Sequence, residues 1–91
     1  MKVSIIVPIY NEIKTLEKCL NALKNINLGF EHLEKEVIII ESNSTDGSRD
    51  IASKFKNFEN FKIIFEDKPS GKGSAVRKGI NQSTGDIIFI Q

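Results

Sequence analysis

Four short runs of β-branched and aromatic residues, each followed or preceded by a segment with helical spacing, constrain this chain more than any other feature. Val3 to Ile9 is an apolar run containing Pro8, and it reads as a buried strand. Ile13, Leu16, Leu20 and Leu23 then recur at helical spacing, with Ile26 near the end, and give a helix one apolar face. Asn27 to Glu34 is a connection broken at Gly29. Val37-Ile38-Ile39-Ile40 is the second strand, and Ile51, Ala52, Phe55 and Phe58 mark a second helix. Phe61 to Phe65 is the third strand. Ala75, Val76 and Ile80 mark a third helix, in which Gly79 leaves room for close approach to a sheet. Ile87 to Ile90 is the fourth strand. The order βαβαβαβ predicts an α/β fold: a parallel sheet, right-handed crossovers and helices on both faces.

A sheet of this kind binds ligands outside the carboxyl ends of its strands. The loops there begin at Tyr10, Glu41 and Glu66, and they hold nearly all the polar residues of interest. In Pro8-Ile9-Tyr10-Asn11-Glu12, Tyr10 can stack on a flat base and Asn11 can cap the first helix. The same residues also suit a plain strand-to-helix turn. In Glu41-Ser42-Asn43-Ser44-Thr45-Asp46-Gly47-Ser48, Glu41 can accept hydrogen bonds from a base or a ribose. Thr45 or Ser44 is expected to cap the second helix, with Asp46 favouring its positive end. Lys68-Pro69-Ser70-Gly71-Lys72-Gly73-Ser74 opens the third helix with two glycines and a lysine. It fails the P-loop pattern, which needs glycine where Glu66 stands and Ser or Thr where Gly73 stands. It also lacks the third glycine of the dinucleotide fingerprint. A phosphate site and a solvated turn both remain open for it.

Other chemistry finds little support. The chain has 13 basic and 12 acidic residues, a net charge of +1, so there is no electrostatic case for nucleic acid as a partner. No apolar run approaches the roughly 20 residues of a membrane span. A single cysteine, Cys19, is expected in core packing and fits a cytoplasmic location. His32 has no metal-ligand partner at suitable spacing. Phe55, Phe58, Phe61 and Phe65 read as core.

In order and spacing, four segments resemble family 2 glycosyltransferases of the GT-A type, including dolichol- and polyprenyl-phosphate sugar transferases. They are Val3 to Glu12, Glu36 to Ser48, Gly71 to Gly79 and Thr84 to Ile90. The resemblance implies a Rossmann-like nucleotide-binding half with strand order 3-2-1-4. It implies a UDP- or GDP-linked sugar as donor and transfer of that sugar to an acceptor hydroxyl. Pro8, Tyr10 and Glu12 would line the base and ribose pocket, Glu41 and Ser42 would hold the base or ribose, and Lys72 would approach the diphosphate. Family members commonly carry Asp-Asp where this chain has Glu41-Ser42, which leaves the base identity open. The resemblance also implies an Asp-x-Asp motif binding Mg²⁺ or Mn²⁺ just after the fourth strand. No Asp-x-Asp occurs between Met1 and Gln91, so the metal ligands and the catalytic base are expected beyond Gln91. The 91 residues are then expected to bind nucleotide without turnover, or to be a ligand-free structural fragment. Residues 87–90, apolar on both faces at a sheet edge, are expected to promote self-association.

Overall fold

The computed structural model describes residues 1–25 and 34–91, and the expectations for Ile26, Asn27, Gly29 and His32 lie outside them. The elements are β1 (Lys2–Ile9), α1 (Ile13–Asn25), β2 (Glu34–Glu41), α2 (Ser48–Ser53), β3 (Phe61–Phe65), α3 (Lys72–Gln82) and β4 (Ile87–Ile90). The sheet is parallel throughout, in the order β3-β2-β1-β4. This is the expected topology.

β2 starts at Glu34, three residues before the apolar run. Parallel pairing with β1 sets that start, because Lys2 lies opposite Glu34 and the Glu34 amide donates to the Met1 carbonyl. Ile5, Val7, Val37 and Ile39 face α1 and α2, where Leu16, Leu20, Leu23, Ala52 and Phe55 complete one core. Ile6, Ile38 and Ile40 face the other way, onto Ala75 of α3. The central strands therefore bury both faces, which is why they read as continuous apolar runs. Each fully buried isoleucine contributes about 1.5–3 kcal/mol, and truncating one such as Ile38 to alanine costs about 2–5 kcal/mol.

α3 approaches the sheet through Ala75 and Gly79. A Cβ on Gly79 would sit 2.5 Å from Ile6 Cγ2 and 2.9 Å from Ile40 Cδ1, so the close approach expected of this glycine is real. Ile80, expected on the buried face, is exposed because Ala75 and Gly79 occupy the positions nearest the sheet.

α2 ends at Ser53, and turns carry the chain to β3. Phe55 and Phe61 are buried, as expected, whereas Phe58 and Phe65 are each 38 % exposed. Phe58 packs on Phe55 at 5.4 Å between centroids and is covered from outside by the Lys24 ammonium, 4.0 Å from its ring centre. Phe65 ends an edge strand and lies beneath the Arg49 guanidinium.

A carboxylate locks the amino ends of the strands. Glu36 is 2 % exposed. Its Oε2 accepts from Ser4 Oγ at 2.5 Å and from the Thr84 amide at 2.6 Å. Its Oε1 has no aligned hydrogen bond and is compensated by charge, with Lys62 Nζ at 3.1 Å and Lys2 Nζ at 3.8 Å. Burial pushes this carboxyl up, but the bonds from Ser4 and Thr84 and the contact with Lys62 outweigh it and hold the group at about 2. Gly85 closes the same corner by donating its amide to Ser4 Oγ at 2.9 Å. Only a residue without a side chain fits there, since a Cβ would lie 2.4 Å from Ser4 Oγ and 2.8 Å from the Ser4 nitrogen. Asp86 joins β4 to β1 by pairing with Lys2 through backbone and side chain. This corner is at the far end of the sheet from the loops that follow β1, β2 and β3.

Candidate functional site

Those three loops meet at the carboxyl ends of the strands, and the second of them serves the amide ends of both α1 and α2. Asn11 has φ 52°, a left-handed conformation that asparagine tolerates better than most residues. Its side chain does not cap α1; its Oδ1 accepts from the Thr45 amide at 2.8 Å. The amide end of α1 is satisfied from the second loop. Ser44 Oγ accepts from the Asn11 amide, Ser48 Oγ from the Glu12 amide and Asp46 Oδ2 from the Ile13 amide. Neither Ser44 nor Thr45 caps α2, whose N-cap is Gly47 at φ 97°. Asp46 takes that task through Oδ1, which accepts from the Ser48 amide and hydroxyl. The bonds from Ser48, with those from the Ile13 and Asp46 amides, hold the Asp46 carboxyl below its ordinary range against the opposing effect of burial.

Between the start of α1 and the start of α3 lies a cleft of about 530 Å³. Pro8, Tyr10, Glu12, Ser42 and Lys72 line it, five of the six residues expected to bind nucleotide. Tyr10 is 48 % exposed, so its ring is available as a platform. Lys72 is exposed at the first position of α3 and has no carboxylate within 4.0 Å among the described residues. Gly71, which precedes it, has φ 88° and ψ 153°, a conformation reserved for glycine, and lets the backbone turn from the loop into the helix beside the cleft. Leu16, Cys19 and Ala75 supply apolar wall, and Gln91 closes one side. Cys19 thus faces the cleft as well as the core. Burial first, and then the charge of Glu12, push its thiol up, with Gln91 opposing.

The sixth residue, Glu41, is fully buried behind the cleft wall. Its carboxylate accepts from the Asn43 and Ser44 amides, both at 3.0 Å, and from Arg49 Nη1 at 2.9 Å. It shapes the turn after β2 from inside.

A second buried carboxylate, Glu66, stands where β3 emerges, one residue past Phe65, the register partner of Glu41, and its amide donates to the Glu41 carbonyl at 2.8 Å. Ser42 Oγ donates to its Oε1 at 2.5 Å and Ser70 Oγ to its Oε2 at 2.7 Å, and the Lys78 ammonium also pairs with Oε2. Burial opposes ionisation here, but the bonds from Lys78, Ser42 and Ser70 and the Lys78 charge prevail and hold the carboxyl below its usual value. Sequence reasoning missed Glu66, Arg49 and Lys78. For Glu66 the signal was present: it emerges from a parallel strand just as Glu41 does. For Arg49 and Lys78 no local pattern reveals the partner, because each pairs with a carboxylate from a different element.

The residues present do not by themselves fit a divalent cation. No group of three His, Cys, Asp or Glu comes together among the described residues, and of those lining the cleft only Glu12 carries a carboxylate. No described helix is long and apolar enough to cross a membrane.

Comparison with known proteins gives this geometry a family. The model of glycosyl transferase family 2 matches residues 4–91. Glycosyltransferase AglE of Haloferax volcanii is 37 % identical over 87 residues, covering 94 % of this chain and 28 % of the relative. S. aureus TarS 1-349 in complex with UDP-GlcNAc superposes with a TM-score of 0.82 at 30 % identity, over 99 % of this chain and 26 % of that one. The mannosyltransferase PcManGT from Pyrobaculum calidifontis, in complex with GDP-Man and Mn²⁺, superposes with a TM-score of 0.79 at 27 % identity, over 94 % of this chain and 25 % of that one. The chain thus spans about a quarter of the length of each of these three proteins.

Proposed function

The chain belongs to glycosyl transferase family 2, and from that premise we propose that its cleft binds the nucleoside diphosphate of a UDP- or GDP-linked sugar. The whole protein that carries this domain transfers the sugar to an acceptor hydroxyl in the cytoplasm. The observation that carries this reading is the convergence of Pro8, Tyr10, Glu12, Ser42 and Lys72 on one cleft at the carboxyl ends of the strands. Pro8 and Tyr10 offer flat surface to a base. Glu12 and Ser42 offer oxygen to base or ribose, and Glu41 holds the loop that carries Ser42. Lys72 offers a positive charge to the diphosphate from the start of α3, whose amide end favours anions. That charge stabilises the departing nucleoside diphosphate as the anomeric bond breaks.

For the 91 residues themselves we propose binding without turnover. A charge that holds donor in the ground state does not by itself accelerate transfer. The cleft contains one carboxylate among the described residues and the sequence contains no Asp-x-Asp, so Mg²⁺ or Mn²⁺ would need ligands from sequence that continues β4 past Gln91.

The test is calorimetric titration of UDP and GDP against the native chain and Lys72→Ala, with Lys56→Ala as a charge-matched control outside the cleft. Loss of a charge-assisted hydrogen bond is worth about 1.5–3 kcal/mol, so Lys72→Ala is expected to bind about ten- to a hundredfold more weakly. Equal losses from the two substitutions would reduce the effect to general attraction and remove Lys72 from the site.

A further inference from the structure

Glu66 is buried, charged and outside the cleft, yet it touches both polar segments that frame the cleft. An ionised carboxylate can only accept hydrogen bonds. The hydrogen lying between Ser42 Oγ and Glu66 Oε1, 2.5 Å apart, therefore belongs to Ser42. A hydroxyl has one proton and two lone pairs, so once that proton is committed Ser42 has only lone pairs left to offer. The Ser42 backbone is held as well, its amide donating to the Ile9 carbonyl at 3.0 Å, so the contact with Glu66 is what sets the side chain's orientation.

We propose that Glu66 is a positioning residue: by holding the Ser42 proton it makes this part of the cleft wall a pure acceptor, which selects nucleobases that present a ring N–H. Uracil and guanine carry a ring N–H on the edge used for pairing, whereas cytosine and adenine carry an unprotonated ring nitrogen there. Opposite Ser42, the former pair make a hydrogen bond and the latter bring two acceptors together. A site built to hydrogen-bond one partner rejects an analogue that leaves its polar group unpaired. Lys78 and Ser70 keep Glu66 ionised by charge and hydrogen bonding, so the orientation of Ser42 is held from behind. The inference rests on the reading of the cleft as a nucleoside-diphosphate site.

The experiment compares the affinities of UDP and CDP, which differ at the pairing edge of the base, and of inorganic pyrophosphate, which has no base. The native chain is expected to prefer UDP to CDP by about tenfold, the worth of one such hydrogen bond. In Glu66→Gln the new amide can donate to Ser42, which turns the hydroxyl proton toward the cleft. The UDP-to-CDP ratio then falls to near one while pyrophosphate affinity changes by less than about threefold. A general structural defect would lower all three affinities together. Ser42→Ala, which leaves the Glu66–Lys78 pair intact, is expected to abolish the ratio even if Glu66→Gln does not fold, and Ser42→Thr to retain it. A native ratio near one, or a ratio unchanged in Ser42→Ala or Glu66→Gln, overturns the role of Glu66 and leaves nucleotide binding standing. Failure of all three probes to bind the native chain overturns the nucleotide site and this inference together.

Discussion

Replacing Glu36 with glutamine keeps the size of the side chain and removes one negative charge from the amino end of the sheet. That charge receives Ser4 and Thr84 on one oxygen and faces Lys62 and Lys2 with the other. The folded chain holds the carboxyl at about 2, against an ordinary value of 4.5. At about 1.4 kcal/mol per pH unit, that displacement is worth on the order of 3 kcal/mol of stability at neutral pH. A domain of this size has roughly 5–14 kcal/mol in total, so the loss is large. Between 4.5 and about 2 the unfolded chain binds the proton and the folded chain does not, so acid favours unfolding. The contribution is complete above 4.5 and disappears as pH falls toward 2. Urea unfolding of the native chain and Glu36→Gln, followed by circular dichroism at pH 7, 5 and 3, measures it. The expected gap is on the order of 3 kcal/mol at pH 7, shrinking to about half or less at pH 3. Glu66 and Asp46 also titrate low, but both proteins share them and their effect cancels in the difference. A gap that stays constant from pH 7 to pH 3 would show that shape at this corner matters and charge does not.

Two further outcomes follow from the edge of the sheet and from the cleft. The side chains of β4 are 40–60 % exposed and apolar, with one strand edge unpaired among the described residues, so the 91-residue chain is expected to self-associate. Sedimentation over a concentration series would show rising mass for the native chain and less for Phe89→Lys, and a clean monomer throughout would contradict this. The chain supplied with UDP- or GDP-sugar and Mn²⁺ is expected to release no nucleoside diphosphate above a protein-free blank. Metal-dependent release that vanishes in Lys72→Ala would refute binding without turnover.

Most of the fold was legible because burial on both faces leaves an unmistakable mark. Ile38, Ile39 and Ile40 have no polar neighbour to break the run, and helical spacing between such runs forces parallel strands. Element limits were less legible. β2 begins at Glu34 because pairing with β1 extends it through charged residues that no local pattern assigns to a strand. That the loops after β1, β2 and β3 meet at one cleft was legible because the carboxyl ends of parallel strands converge by topology, whereas Pro8, Glu12 and Ser42 were singled out by family resemblance. What remained hidden were the partnerships. Asn11, Ser44 and Asp46 are all good capping residues, but which amide each one serves depends on two loops meeting in space. Glu41 read as a ligand contact because a lone carboxylate at a strand end looks free, whereas Arg49, eight residues later, folds back onto it.

The most direct test of the account is an amide NMR titration of the chain with UDP, GDP and ADP. Binding in the cleft predicts shifts at Tyr10, Glu12, Ser42, Gly71 and Lys72, larger for UDP or GDP than for ADP. It predicts none at Glu36, Thr84 and Gly85, at the far end of the sheet. Absence of shifts from the cleft at millimolar nucleotide, or shifts centred on the Glu36 corner, would contradict it.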